Sequence, residues 1–129
     1  MTTPTMELRR VELAPAAALF RSLGDPGRLA ILRRLAVGEA RVIDLVAELG
    51  LAQATVSAHL ACLRGCRLVA SRPLGRASLF RLARPELHDL LAAAEAVLTA
   101  TGSAVALCPE CRAPVAAMPP AGGSAASGA

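Results

Sequence analysis

The chain has 129 residues, 54% of them hydrophobic, so it can bury the core of one domain and is not disordered throughout. It has no Trp or Tyr and only 2 Phe, which argues against a protein that stacks single-stranded bases on aromatic rings. All 14 basic residues are arginines, which excludes an enzyme that forms a lysine Schiff base.

The net charge of +4 is unevenly distributed along the chain. Leu49–Pro85 contains no acidic residue and six arginines, namely Arg64, Arg67, Arg72, Arg76, Arg81 and Arg84. The remaining residues of the chain hold the other 8 arginines and all 10 acidic residues, so they are slightly acidic. A concentrated positive surface attracts polyanions, and double-stranded nucleic acid is the first candidate. A solvated basic face without a partner is the alternative that charge alone leaves open.

We expect neither a signal peptide nor a transmembrane helix. Met1–Arg10 lacks the apolar stretch of a signal peptide, and no uncharged apolar run approaches the ~20 residues that span a bilayer. We therefore expect a cytoplasmic protein that makes no contact with a membrane. Residues 1–14 are interpreted as a flexible N-terminal arm with a short helical piece, and residues 113–129 as a disordered, low-complexity tail.

Two helices are predicted before the basic segment. Pro15 suits the first turn of a helix, where its missing N–H has no partner, and this helix ends at Leu23. Asp25 and Pro26 have the pattern of an N-cap followed by the first helical residue, and Gly38 ends this second helix.

The next two predicted helices, Val42–Leu49 and Gln53–Gly65, form a helix-turn-helix. Only Gly50, Leu51 and Ala52 separate them, as is typical of this motif. The core face of the second of these helices is formed by apolar residues spaced four and three apart: Val56, Leu60 and Leu63.

A hairpin and a last helix follow. The segments Leu68–Arg72 and Ser78–Leu82 are predicted strands around a Pro/Gly turn, with Arg72 and Arg76 at the tip of this wing. Pro85–Thr101 is predicted to be a helix with an apolar face too broad for one small core, which suggests a dimer seam. The expected fold is mainly α with a small β-hairpin, a homodimeric winged helix-turn-helix.

The four cysteines suggest metal or redox chemistry, because disulfides are rare in cytosolic chains. Cys62 and Cys66 are four residues apart on one predicted helix, so both thiols project from the same side. Cys108 and Cys111 form a CPEC pair after the last helix. Thiolates select soft or borderline ions, and two sulfurs on one helix require at least one more ligand from elsewhere.

Three segments resemble the ArsR/SmtB family of metal-responsive repressors: LGDPGRLAILRRL, DLVAELGLAQATVSAHLACLR and the wing GRASLFRL. Within that family, His59–Val69 is similar to a branch that senses cadmium and lead. The resemblance implies a homodimer that binds a twofold-symmetric operator DNA without metal and releases it with metal. It spans roughly Pro15–Thr101, so residues 15–101 are expected to form the DNA-binding and dimerisation domain.

By analogy with that branch, the resemblance implies Cys62, Cys66 and Cys108 as metal ligands. Cys111 either replaces Cys108 or completes a four-sulfur set, so residues 102–112 are expected to form a metal-site segment. Three thiolates suit Cd²⁺ or Pb²⁺ as inducer better than Zn²⁺, which usually takes four ligands, although Zn²⁺ stays possible.

Three residues depart from the family's usual pattern. Ala52 stands where a capping Ser or Thr is usual, so we expect the recognition helix to begin without its cap, a loss of about 1 kcal/mol. Arg67 stands where Gly usually follows that helix, which predicts a reshaped turn. Gly27 replaces a usual Thr or Ser, with no consequence evident from the sequence.

Two other metal sites of the family are absent or incomplete here. Arg41 and Ile43 occupy the positions of its paired cysteines at the start of the third helix. For its zinc site on the last helix, only His88, Asp89 and Glu95 are available.

The DNA-contacting residues are hypotheses from chemistry and position. Gln53, Thr55 and Ser57 would enter the major groove, where Gln pairs with adenine and Thr and Ser are less selective. The phosphates would be held by His59, Arg72 and Arg76, which set register rather than sequence. Metal ligation by His59 is the alternative for that residue.

Two other functions stay open on the same fold. A thiol redox switch would release DNA on oxidation, with a disulfide between Cys62 and Cys108 or within the CPEC pair. A structural zinc site would leave DNA binding insensitive to added metal. We expect no enzyme and no small organic substrate, because no nucleophile–base–acid set or phosphate-binding loop is present.

Overall fold

The computed structural model describes residues 4–107, with side chains from Arg9 onward. Five helices and a three-stranded sheet form the winged helix-turn-helix that the sequence predicts. In chain order the elements are α1 (Pro4–Leu23), α2 (Pro26–Leu35), β1 (Ala40–Arg41), α3 (Val42–Leu49), α4 (Gln53–Gly65), β2 (Val69–Leu74), β3 (Ala77–Leu82) and α5 (Glu86–Ala100). The predictions for Cys108, Cys111 and residues 113–129 lie outside the described residues.

The predicted start of the first helix at Pro15 is wrong. Helix α1 begins at Pro4 and continues through Pro15, which lies in its interior. An interior proline removes the hydrogen bond to the carbonyl four residues earlier, here that of Val11. The residues on either side, including Leu13 and Ala16, have high helix propensity and carry the helix across the missing bond.

The helix-turn-helix follows the local signals in the sequence. Asp25 caps α2, because its Oδ2 accepts a hydrogen bond from the Arg28 N–H at 3.0 Å. The axes of α3 and α4 differ by 119°, and Gly50 makes the turn possible with a left-handed φ of 69°. In the described part of the chain no single helix is long and apolar enough to cross a membrane, and only this sharply bent pair matches by length and composition.

The core lies where α2, α3 and α4 meet the sheet. The predicted inward residues of α4 are all buried. They pack in one cluster with buried residues of α2, α3, α5 and the three strands. This cluster consists of Ile31, Leu32, Leu35, Ala40, Leu45, Val56, Leu60, Leu63, Leu68, Val69, Phe80 and Leu87. Burial of one face of α4 leaves its opposite face for contacts with other molecules.

The wing is longer than predicted. β2 and β3 pair from Val69↔Leu82 to Leu74↔Ala77, so only Gly75 and Arg76 form the turn. Gly75 has φ 62°, which a two-residue hairpin turn needs at its first central position. Pro73 and Leu74, which the Pro/Gly pattern predicts to lie in the turn, belong to β2 instead, because β2 is an edge strand, where proline is tolerated.

The sheet also has a strand that sequence reasoning missed. β1 pairs antiparallel with β3, with Ala40 opposite Phe80 and Arg41 opposite Leu79, and the strand order is β1-β3-β2. A two-residue strand carries no periodicity, so the sequence gives no signal for it. It connects the start of α3 to the middle of β3 through hydrogen bonds.

Helix α5 occupies nearly its predicted range and packs only part of its apolar face. Leu87 and Leu91 are buried, whereas Val97 is 62% exposed. Phe20, near the end of α1, is also 62% exposed. Both residues line an apolar groove of about 500 Å³ between α1, α2 and α5.

Candidate DNA-binding and thiol site

The first turns of α4 present polar side chains to solvent. Gln53, Thr55 and Ser57 are all exposed, because Val56 between them points into the core. Ala52 occupies the N-cap position and makes no side-chain hydrogen bond, so α4 begins uncapped as expected. This surface has the donors and acceptors that base edges in a major groove require.

His59 lies on the side of α4 that faces the start of α2. Its Nε2 is 3.4 Å from Asp25 Oδ2, and its side chain is only 18% exposed. A Cβ atom added to Gly27 would lie 2.7 Å from the same Nε2, so the imidazole occupies the space that any other residue at position 27 would fill. The Arg28 N–H, which donates to Asp25, holds the pKa of that carboxyl below its usual value, and His59 adds a smaller Coulombic effect.

The arginines of the basic segment are all exposed, and they lie along α4, the wing and the start of α5. Arg76 lies in the two-residue turn at the tip of the wing. Arg72 lies further back, opposite Leu79, so its predicted place at the tip is wrong. Because the strands extend to Leu74 and Ala77, only the turn residues reach the end of the wing.

Arg72 is also held by an acid from outside the basic segment. Its Nε and Nη2 donate to the two carboxylate oxygens of Glu39 at 3.2 and 3.0 Å. This bidentate ion pair lowers the pKa of Glu39 and raises the pKa of Arg72. Contact between Arg72 and a phosphate therefore requires that it exchange or share its Glu39 partner.

The start of α3 carries an ion pair in place of the family's paired cysteines. Asp44 Oδ2 accepts a hydrogen bond from the Arg41 N–H at 2.9 Å, and Asp44 Oδ1 lies 3.1 Å from Arg41 Nη2. The Arg41 hydrogen bonds hold the pKa of Asp44 below its usual value. Ile43 is exposed. Because positions 41 and 43 hold arginine and isoleucine, neither offers a sulfur ligand.

The two described cysteines lie at the opposite end of α4 from the polar residues. Cys62 and Cys66 are free thiols, both exposed. Cys66 is the C-cap residue, and its N–H donates to the Cys62 carbonyl at 3.1 Å, so the helical spacing of the pair is retained. The Cys66 Sγ is 3.1 Å from the hydroxyl of Ser22 on α1.

The turn after Cys66 keeps its usual shape without a glycine. Arg67 adopts a left-handed φ of 64°, and the Leu68 N–H donates to the Leu63 carbonyl at 3.0 Å. The expectation of a reshaped turn is therefore wrong. The left-handed conformation costs a non-glycine residue about 1–2 kcal/mol.

The described residues alone do not complete a metal site. Between Arg9 and Leu107 no three His, Cys, Asp or Glu side chains come together in a way that could hold an ion. Glu95, one of the three residues available on the last helix for the incomplete zinc site, is buried and accepts a hydrogen bond from the Leu107 N–H. Cys62 and Cys66 are exposed thiols of the type that soft ions select, but two side chains do not make up a metal site within this range.

The family model described as bacterial regulatory protein, arsR family, matches residues 25–71, from the cap of α2 to the start of the wing. The transcriptional regulator CmtR of Mycobacterium tuberculosis is 42% identical over 87 residues, 67% of this chain and 71% of that protein. The chain belongs to the ArsR family. Its relatives are transcriptional regulators and not enzymes.

Two further proteins to which the chain is similar are informative for function. A probable mercury resistance operon repressor of Streptomyces lividans is 33% identical over 92 residues, 71% of this chain and 74% of that protein. The homodimeric winged helix-turn-helix DNA-binding domain of a possible ArsR-family regulator from Mycobacterium bovis has a TM-score of 0.63 and 28% identity, and the match covers 77% of this chain and 88% of that one.

Proposed function

We propose that this ArsR-family regulator is a homodimeric repressor that binds operator DNA and releases it when a soft heavy-metal ion binds its cysteine thiolates. The observation that carries the proposal is the arrangement of α4. Exposed polar residues lie at the N-terminal end of that helix, and the exposed thiols of Cys62 and Cys66 lie at its C-terminal end.

The proposed DNA contacts combine one helix and the wing. Gln53, Thr55 and Ser57 contact base edges, and Arg76 at the wing tip contacts phosphate. Arg72 joins these contacts when its bond to Glu39 is exchanged for a phosphate. His59 keeps its proposed phosphate contact through the part of its side chain that Asp25 and Gly27 leave accessible.

The proposed dimer uses the apolar groove between α1 and α5. Phe20 and Val97 are large apolar residues exposed at its edge, and a second copy of the chain would cover them. The relative from Mycobacterium bovis, whose fold this chain shares, is itself homodimeric. Two copies would present two α4 helices to successive major grooves, as a twofold-symmetric operator requires.

The proposed inducer site takes Cys62 and Cys66 from α4 and Cys108 from the segment 102–112, with Cys111 as a further or replacement ligand. Three thiolates favour Cd²⁺ or Pb²⁺, and four would accept Zn²⁺. The relatives named for mercury resistance and as CmtR support a soft metal as the signal. Metal bound at the end of α4 would alter the placement of the helix that contacts DNA, and by linkage DNA would weaken metal binding equally.

The test begins with duplexes selected from a random pool by the metal-free protein. Binding to a fluorescent selected duplex is followed by anisotropy with added Cd²⁺, Pb²⁺, Zn²⁺ or Hg²⁺, and separately with diamide. We expect Cd²⁺ or Pb²⁺ to weaken DNA binding at least tenfold. Diamide, added to a complex prepared with reduced, metal-free protein, should not release the DNA. Release by diamide alone would favour the redox switch, and metal present as purified with no effect of added ions would favour structural zinc.

A further inference from the structure

Ser22 lies against one of the proposed ligand sulfurs. It is the second-to-last residue of α1 and only 5% exposed. Its Oγ is 3.1 Å from the Sγ of Cys66, a residue 44 positions later in the chain. The contact joins the end of α1 to the end of α4, two elements that no local sequence pattern connects.

The backbone at Ser22 is bonded to the side chain of Arg28. The Ser22 carbonyl accepts a hydrogen bond from Arg28 Nε at 2.6 Å, and the neighbouring Arg21 carbonyl accepts one from Arg28 Nη2 at 3.0 Å. The Arg28 side chain thus bonds to two carbonyls in the last turn of α1, where carbonyls run out of helical partners, and the Arg21 carbonyl also accepts a hydrogen bond from the Gly24 N–H at 3.1 Å. The backbone at Ser22 is therefore bonded to α2, and its buried hydroxyl lies within hydrogen-bonding distance of the sulfur.

We propose that Ser22 is a positioning residue for the metal-binding sulfur of Cys66, an inference that rests on the proposed function. On coordination the Cys66 thiol would lose its proton to solvent and bond to the metal through the sulfur, which would then have no proton to donate. The Ser22 hydroxyl, which can donate or accept, becomes the donor to the coordinated sulfur. Such outer-shell hydrogen bonds orient a ligand and tune its bond to the metal.

The first measurement is Cd²⁺ binding to the full-length reduced chain, in competition with a chelator, followed by thiolate-to-metal absorption. The chain has no Trp or Tyr, so the near-ultraviolet background is low. We expect Ser22→Ala to weaken Cd²⁺ binding about tenfold. We also expect the band to move to longer wavelength, because a sulfur that loses its hydrogen-bond donor gives up electrons more easily.

A matched pair of variants separates the hydroxyl from the shape of the side chain. Ser22→Thr and Ser22→Val add nearly the same volume to this buried position, so any packing disturbance is common to both. Only threonine keeps a hydroxyl. We expect Ser22→Thr to bind Cd²⁺ at least several-fold more tightly than Ser22→Val, with its absorption band close to that of the wild type.

The second measurement does not involve metal. Thermal unfolding of metal-free Ser22→Ala, Cys66→Ala and the double variant forms a cycle that isolates the contact. Each single substitution removes the contact, so the second one should cost little more once the first is made. We expect the melting temperature of the double variant to lie several degrees above the value calculated by adding the two single decreases.

The outcomes separate the inference from the proposed function. Non-additive melting together with weaker Cd²⁺ binding in Ser22→Ala supports the inference. If Cys66→Ala abolishes tight Cd²⁺ binding while Ser22→Ala keeps wild-type affinity and absorption, the inference is overturned and the proposed ligand stands. If Cys66→Ala binds Cd²⁺ like the wild type, the ligand assignment fails and the role of Ser22 fails with it.

Discussion

The imidazole of His59 occupies the space that a side chain at Gly27 would fill. Its Nε2 would lie 2.7 Å from a Cβ at position 27, and it is 3.4 Å from Asp25 Oδ2. Gly27 is one of the three departures from the pattern of the family that the sequence resembles. Its absence of a side chain lets α4 approach the N-terminus of α2 closely, so these two positions act as a pair.

A first prediction concerns that pair. Gly27 lies in the first turn of α2, where alanine would normally stabilise a helix by up to about 1 kcal/mol. We expect Gly27→Ala to give no stabilisation in the wild type, because the new methyl group displaces His59, and to give about 1 kcal/mol in a His59→Ala background. Denaturant unfolding of the four proteins measures this coupling, and equal effects of Gly27→Ala in both backgrounds would show that the positions are independent.

A second prediction concerns Arg67 at the end of α4. Because its φ of 64° is unfavourable for a side chain, we expect Arg67→Gly to stabilise the protein. The relief of 1–2 kcal/mol of strain is partly offset by the greater freedom of glycine in the unfolded chain, which leaves about 0.5–1 kcal/mol. Arg67→Ala removes the same charge and keeps the strained conformation. If it stabilised the protein as much as glycine does, charge and not backbone conformation would be the cause.

A third prediction separates the two arginines of the wing. Arg76→Gln should weaken DNA binding and make the dependence of log affinity on log salt shallower by about one, because one phosphate contact is lost. Glu39→Gln should strengthen DNA binding, because Arg72 no longer bonds to a carboxylate that competes with phosphate. Salt titrations of both variants by anisotropy test this. Weaker binding by Glu39→Gln would mean that the acid orients Arg72 for DNA.

A fourth prediction follows from the carboxylates with lowered pKa values. The pKa of Asp44 is held below its ordinary value of 3.8 by Arg41. A carboxyl whose pKa is depressed on folding stabilises the protein above its unfolded pKa, and the effect disappears as pH falls through the folded pKa. We expect the melting temperature to be level from pH 7 to about pH 5 and to fall below about pH 4.

Asp44→Asn tests that assignment. We expect it to melt below the wild type at pH 7 and to come closer to it as pH falls below about 4, because the wild type then progressively loses the same charge. Asp89→Asn, an exposed acid on α5, serves as the control and should follow the wild-type curve. A difference between Asp44→Asn and wild type that stayed constant from pH 7 to pH 3 would contradict the assignment.

The sequence was sufficient where the determinants are local. The bounds of α3 and α4 follow from Gly50 and from an apolar stripe that only one helical phase can bury. Local reasoning failed at Pro15, because a helix can tolerate one missing hydrogen bond when strong helix formers lie on both sides. The predicted wing was also too short, because Pro73 indicated a turn, whereas an edge strand such as β2 accepts a proline.

The parts of the site that escaped prediction are contacts between distant segments. The hydrogen bond between Ser22 and Cys66 and the ion pair between Glu39 and Arg72 join residues 44 and 33 positions apart. No periodicity or spacing encodes either of them. The approach of His59 to Gly27 did leave a signal, since an unusual glycine at the start of a helix indicates a close neighbour.

The central claim is that the helix that contacts base edges also carries the sulfurs that bind the inducer. The most direct measurement is Cd²⁺-dependent release of a selected duplex by the Cys62→Ser, Cys66→Ser double variant, compared with the wild type by anisotropy. We expect the double variant to bind DNA with wild-type affinity and to keep it at Cd²⁺ concentrations that weaken wild-type binding at least tenfold. Release of both proteins at the same Cd²⁺ concentration would contradict the claim.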